Sequence, residues 1–233
     1  MTTRGTKASA EAGAGQVGAG GLRPGGTAAF FDVDETLLTT KSMAAFWDHW
    51  APTRRGELEA LLAGGLPRTE RNRAYYRLFA GVRPQQLQRA GAEWYDAYRR
   101  GPRAFVPATV DALRRHQRAG HGIVLVSGSC HALLDPLGEE LGADLVLCTE
   151  QEIAADGLFT GEVAEPMIGQ AKAEAVLRTI AARELVAADC HAYGDDVSDL
   201  PMLRVVGQAV AVGGRRELAE EAHRLGWRML PAA

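Results

Sequence analysis

The chain has 233 residues, a formal net charge of −3, 46% hydrophobic residues and 24% charged ones. That is enough for one sizeable core, or a core domain with an appendage, and the charge argues against a basic nucleic-acid-binding surface. No run approaches the roughly 20 apolar residues of a membrane-spanning helix, so no membrane insertion is expected. Cys130, Cys148 and Cys190 are odd in number and lack metal-ligand spacing. They fit a reducing cytoplasm better than a disulfide or zinc scaffold.

Residues 1–26 are mostly Gly, Ala, Ser and Thr. With little to offset the entropy of ordering, they read as a disordered tail. A buried strand is expected over Ala28 to Val33, ending at Asp32 to Asp34. From 42 to 103 the pattern turns helical and aromatic-rich, broken by GGLP and GVRP. An insertion of that size after a first strand is too large for a loop and reads as a cap subdomain. Trp47, Trp50, Tyr75, Tyr76, Phe79, Trp94 and Tyr98 are expected to form its core.

Pro107 opens a helix that Gly120 can stop. IVLV at 123–126 then reads as a strand buried on both faces. The helix HALLDPLGEELG, the strand DLVLCTE and a tight turn at Asp156-Gly157 follow. The helix QAKAEAVLRTIAARE, the polar stretch HAYGDDVSDLPML, the strand AVAV and the helix RRELAEEAHRLG complete the chain. This alternation predicts an α/β, Rossmann-like core with a mostly parallel sheet and helices on both faces, over 27–41 and 104–233, with the helical cap at 42–103.

Chemistry-bearing residues stand at the ends of the expected strands: Asp32, Asp34 and Thr36 in DVDET, Ser127, and Asp195 and Asp199 in GDDVSD. Lys172 joins them. Ligands of open α/β sheets bind beyond the carboxyl ends of the strands, where these groups should converge. Together they offer a carboxylate nucleophile, a second carboxyl for proton transfer, a hydroxyl, a cation and acids for a hard divalent metal. Phosphoryl transfer requires such a set, because it depends on positioning and on neutralising the transferred oxygens. Mg2+ takes oxygen ligands and keeps several waters. Asp32, the carbonyl of Asp34 and Asp195 are its expected ligands.

FFDVDETLL at 30–38, IVLVSGS at 123–129, GQAKAEAV at 169–176 and AYGDDVSDLPML at 192–203 resemble the haloacid dehalogenase superfamily of phosphatases. The finer resemblance, over roughly 27 to 230, is to the branch containing phosphoserine phosphatase, with its helical cap after the first strand. It implies that Asp32 attacks phosphorus and that Asp34 protonates the leaving alcohol and then activates water. Ser127 would donate to a phosphate oxygen, Thr36 would support the loop or touch phosphate, and Ser129 would touch phosphate or cap a helix. Lys172 would stabilise nucleophile and phosphate. Asp195 would bind the metal directly, and Asp199 would do so through water or orient Lys172. Position 35 is Glu where the branch usually carries Gly or Ser. Position 41 is Lys where phosphoserine phosphatases carry a Glu that reads the substrate's ammonium, which disfavours phosphoserine.

The expected activity is Mg2+-dependent hydrolysis of a small phosphorylated metabolite through an aspartyl-phosphate. The alternatives are transfer from Asp32 to an alcohol acceptor, or a non-catalytic binding protein on the same fold. A homodimer is compatible with the chain, though nothing requires one.

Overall fold

The computed structural model describes residues 21–232. Six strands form one parallel sheet: β1 (Ala28–Phe31), β2 (Gly122–Val126), β3 (Leu145–Leu147), β6 (His191–Gly194), β7 (Gln208–Val212) and β8 (Arg228–Leu230). Their order is β3-β2-β1-β6-β7-β8. The chain moves outward from β1 in one direction through β2 and β3, then returns to pair β6 on the other side of β1. The strand order therefore reverses at β1, and the crevice beyond its carboxyl end is where such sheets hold ligands.

Alternation along β1 divides the interior. Ala29 and Phe31 face one apolar cluster and Ala28 and Phe30 the other, all four fully buried. The first cluster takes in α5 (Pro107–Arg118), α6 (His131–Leu141) and the cap. The second takes in α7 (Gln170–Ala182), α8 (Leu200–Arg204) and α9 (Arg216–Leu225). Burial on both faces is why the strands read as continuous apolar runs rather than alternating ones.

The cap consists of α1 (Ser42–Trp50), α2 (Arg55–Ala63), α3 (Arg68–Arg77) and α4 (Pro84–Tyr98). Phe46, Trp47, Tyr76 and Phe79 are its buried centre, with Trp47 edge-on to Phe79 at 5.6 Å between ring centroids. The Asp156-Gly157 turn joins β4 (Gln151–Ile153) and β5 (Phe159–Val163), an antiparallel ribbon. That ribbon leans on the cap: the Gly81 amide donates to the Phe159 carbonyl, the Phe159 amide donates to the Val82 carbonyl, and Arg73 donates to the Val163 carbonyl.

Two features differ from the sequence expectation. β8 was not anticipated, because RML is too short to carry a pattern. The tail expected over 1–26 lies, for residues 1–20, outside the described residues, whereas residues 21–26 are held against the core. Gly21 donates to Asp144, Gly25 to the Glu184 carbonyl, and Gly26 accepts from Val186. Leu22 packs on the second apolar cluster. Composition suggested disorder, but the backbone groups of this stretch and the Leu22 side chain anchor it to the core. Among the described residues no helix is long and apolar enough to cross a membrane.

Candidate active site

Three parallel strands deliver three polar residues to one point. Asp32 follows β1, Ser127 follows β2 and Asp195 follows β6, all buried. The Asp32 amide still bonds the Tyr193 carbonyl at 2.9 Å, so the carboxylate rides on the sheet rather than on a loose loop. Beyond it the chain folds into a tight turn in which the amides of Thr36, Leu37 and Leu38 all point at the Val33 carbonyl. Glu35 adopts φ 60° in this turn, a left-handed conformation costing a non-glycine residue about 1–2 kcal/mol. Its carboxylate is engaged by Arg215 and lies 3.8 Å from Lys41. Those ion pairs favour an acid where Gly or Ser was expected.

Lys172 rises from the first turn of α7 into this centre and is 1% exposed. Its Nζ lies 2.5 Å from Asp32 Oδ1 and 2.8 Å from Asp199 Oδ1. Two carboxylates at that range outweigh burial and hold the ammonium above its ordinary range. The other Asp199 oxygen accepts from the Asp196 amide, closing a capping box over Val197–Asp199. The Thr36 hydroxyl is 3.1 Å from Asp32 Oδ2 and 3.3 Å from Asp195 Oδ1, so one proton serves both acids.

Asp34 is separate from this group. Its Oδ1 accepts from the Ser42 amide at 3.0 Å, at the amino end of α1. Burial pushes its carboxyl up to about 6, partly opposed by the bonds from Ser42. The first cap helix therefore holds the second acid of DVDET in place.

Asp32, Asp195 and Asp199 present oxygens within 4.8 Å of one another. Burial, then Asp32 and Asp199, push Asp195 up to about 8. Such crowded, desolvated carboxylates fit a hard dication, and an all-oxygen set suits Mg2+ better than a thiophilic metal. Asp199 has both oxygens committed to Lys172 and the loop, which fits orientation of the lysine better than direct ligation.

A cavity of about 470 Å³ opens between core and cap, and Asp32, Asp34, Ser127, Lys172 and Asp195 all reach it. Lys41 reaches it too. Thr36 and Ser129, expected as phosphate contacts, are not on its wall. Thr36 lies behind the two acids, and the fully buried Ser129 accepts from the Ser42 hydroxyl while its amide donates to Ser127. Both act on the residues in front of them.

Arg215, Arg68 and Asn72 on the cavity wall escaped the sequence reading. Arg215 places Nε 3.0 Å from Asp195 Oδ2 and Nη1 3.1 Å from Asp196 Oδ2. Arg68 pairs with Asp196. Asn72 and Tyr76 on α3 each donate to the Gly128 carbonyl at 2.9 Å, fastening the cap to the loop that carries Ser127. Arg71, half-buried on the same wall, makes no ion pair with the other described residues.

An open parallel sheet with acids and a buried lysine at its switch point, closed over by inserted helices, defines a capped α/β hydrolase with a phosphoryl-transfer type of site. The chain belongs to the haloacid dehalogenase-like hydrolases, whose family profile matches residues 29–204. It is 36% identical to the "Inhibition of morphological differentiation protein" of Streptomyces azureus, over 88% of this chain and 78% of that one. It is 32% identical to "Probable phosphatase Rv3661" of Mycobacterium tuberculosis, over 89% and 78%. Among solved structures, a protein of unknown function from Bordetella pertussis Tohama I superposes with a TM-score of 0.73 at 26% identity, covering 88% of this chain and 97% of that one.

Proposed function

We propose that the chain is a Mg2+-dependent phosphomonoester hydrolase of the phosphoserine phosphatase-like branch, working on a small metabolite through an aspartyl-phosphate on Asp32. The observation that carries this reading is the contrast between two acids two residues apart. Asp32 accepts from the Lys172 ammonium and the Thr36 hydroxyl at the end of β1, while burial raises Asp34 to about 6, where it can both give and take a proton.

In the first step an Asp32 oxygen forms a bond to phosphorus as the bond to the leaving oxygen breaks, and Asp34 gives that oxygen its proton. In the second, Asp34 removes a proton from water as the water attacks phosphorus, releasing inorganic phosphate and free Asp32. Lys172 offsets repulsion between carboxylate and phosphoryl oxygens, and Ser127 donates to one of them. Asp32, Asp195 and the Asp34 carbonyl would hold Mg2+, which supplies further neutralisation of the phosphoryl charge.

The cap sets the leaving group. Leu58, Leu61, Leu62 and Met43 give the cavity an apolar side, while Arg71 and the Asn72 Oδ1, a buried acceptor without a donor, give it a polar one. Lys41 and Arg71 disfavour an ammonium-bearing leaving group and favour a neutral or anionic one with apolar surface. The test is phosphate release from a broad panel of phosphorylated metabolites, with Mg2+ or chelator, using wild type and Asp32→Asn. Mg2+-dependent release lost in the variant is expected. Release surviving both chelator and the substitution would overturn the assignment.

A further inference from the structure

The sheet has a second end. His191 opens β6, four residues before Asp195, and His121 immediately precedes β2, so both stand at the amino-terminal edge. Four residues of strand are about 13 Å, which separates this edge from the carboxylates. His116, in the last turn of α5, packs between them. The Nδ1 atoms of His116 and His121 are 2.9 Å apart, and one ring nitrogen from each of the three histidines falls within 4.8 Å of the others. A cavity of about 460 Å³ adjoins them, lined by His116, His191, Tyr193 and Gln208 among others.

We propose that His116, His121 and His191 form a second metal site, for a transition dication of the zinc class, independent of the carboxylate cluster. Three converging imidazoles are the donor set such ions select, with a fourth position left to water. Zinc–nitrogen bonds of 2.0–2.1 Å would hold the nitrogens about 3.3 Å apart, so the 2.9 Å contact opens by only a few tenths of an ångström. His116 Nε2 lies 2.8 Å from the Tyr193 hydroxyl. A bond on that side fixes the ring and leaves Nδ1 as the ligand atom, the arrangement metal-binding histidines use. The carbonyl end of α5 adds partial negative charge beside the site. The cavity's Arg115 and Arg228 are positive, and they favour an anion over water in the fourth position.

The test uses untagged, chelator-stripped protein in excess Mg2+, so that the carboxylates do not compete, titrated with Zn2+ and with Co2+. One equivalent of zinc per chain and the visible bands of a low-coordinate Co2+ centre are expected. His121→Ala and His191→Ala should each weaken binding by more than about a hundredfold, because even an outer partner such as Tyr193 is worth about 10–100-fold. Nitrogen-detected spectra of the wild type guard against a folding defect. Zinc should shift the rings of His116, His121 and His191 and leave His49, His131 and His223 in place. No zinc uptake in excess Mg2+, uptake unchanged in both variants, or shifts at the other three histidines would overturn the proposal.

Discussion

Arg215 Nε lies 3.0 Å from Asp195 Oδ2, on the carboxylate that the Thr36 hydroxyl approaches from its other oxygen. The same guanidinium bonds Asp196 and Glu35, so one side chain at the amino end of α9 spans three acids of the site. It supplies positive charge where a dication is expected, and the two compete for one carboxylate.

Replacing Arg215 with Met removes that competitor. Mg2+ affinity, measured by calorimetry or by the magnesium dependence of thermal unfolding, should rise severalfold. At a partly exposed site a nearby unit charge is worth about 1 kcal/mol, which is roughly fivefold. Affinity that falls instead would mean that Arg215 organises the Asp195–Asp196 loop more than it opposes the metal.

Lys172 poses the opposite problem, a cation that cannot be spared. Lys172→Met leaves Asp32 and Asp199 facing each other, buried and uncompensated. Removing one partner of a buried pair costs about 3–5 kcal/mol. The variant should lose that much stability in urea denaturation at pH 7.5 and regain part of it near pH 5, where the freed carboxylates take up protons. Equal losses at both pH values would show that packing, not charge, sets the cost.

Much of this centre was legible in the sequence, and the reason is local. Asp32, Asp34 and Thr36 share one turn, and Asp195 and Asp199 another. Strand ends fix where each turn lies, so residue type and spacing suffice. Arg215 is different. It follows β7 in a charged run, and nothing in RRELAEE separates it from solvated neighbours such as Arg216, which is free to pair with Glu220 on the surface. His116 and His191 are 75 positions apart and meet only because α5 packs over the face of the sheet at the start of β6. Glu35 was noticed as a departure, but its ion pairs with Arg215 and Lys41 needed the fold. Ser129 read as a phosphate contact from its place in SGS, whereas the turn sends its hydroxyl back to Ser42.

The three cysteines should be silent. Cys130, Cys148 and Cys190 are buried and unpaired. Burial pushes Cys130 up to about 12 and raises the other two as well, leaving almost no thiolate at pH 8. A disulfide-exchange reagent should titrate none of them in the folded protein and all three in urea. Fast reaction of one thiol in the native state would mark local opening around it.

The seam between cap and core turns on Gly91. An added Cβ there would sit 1.9 Å from the Ala132 carbonyl oxygen of α6. That carbonyl lacks its usual helical donor because the residue four places on is Pro136, so it projects towards α4. Glycine in mid-helix normally costs about 1 kcal/mol relative to alanine, and Gly91→Ala would be stabilising on helix propensity alone. The backbone contact reverses the sign. The two helices must separate to admit the methyl group, and overpacking of this kind costs about 1–3 kcal/mol. Urea denaturation should show a lower midpoint with an unchanged slope. Catalysis should suffer through the cap, since α3 reaches Gly128 from the same subdomain. A variant more stable than wild type would mean that α4 slides freely over α6, and that the cap is held to the core by the Gly128 carbonyl rather than by this seam.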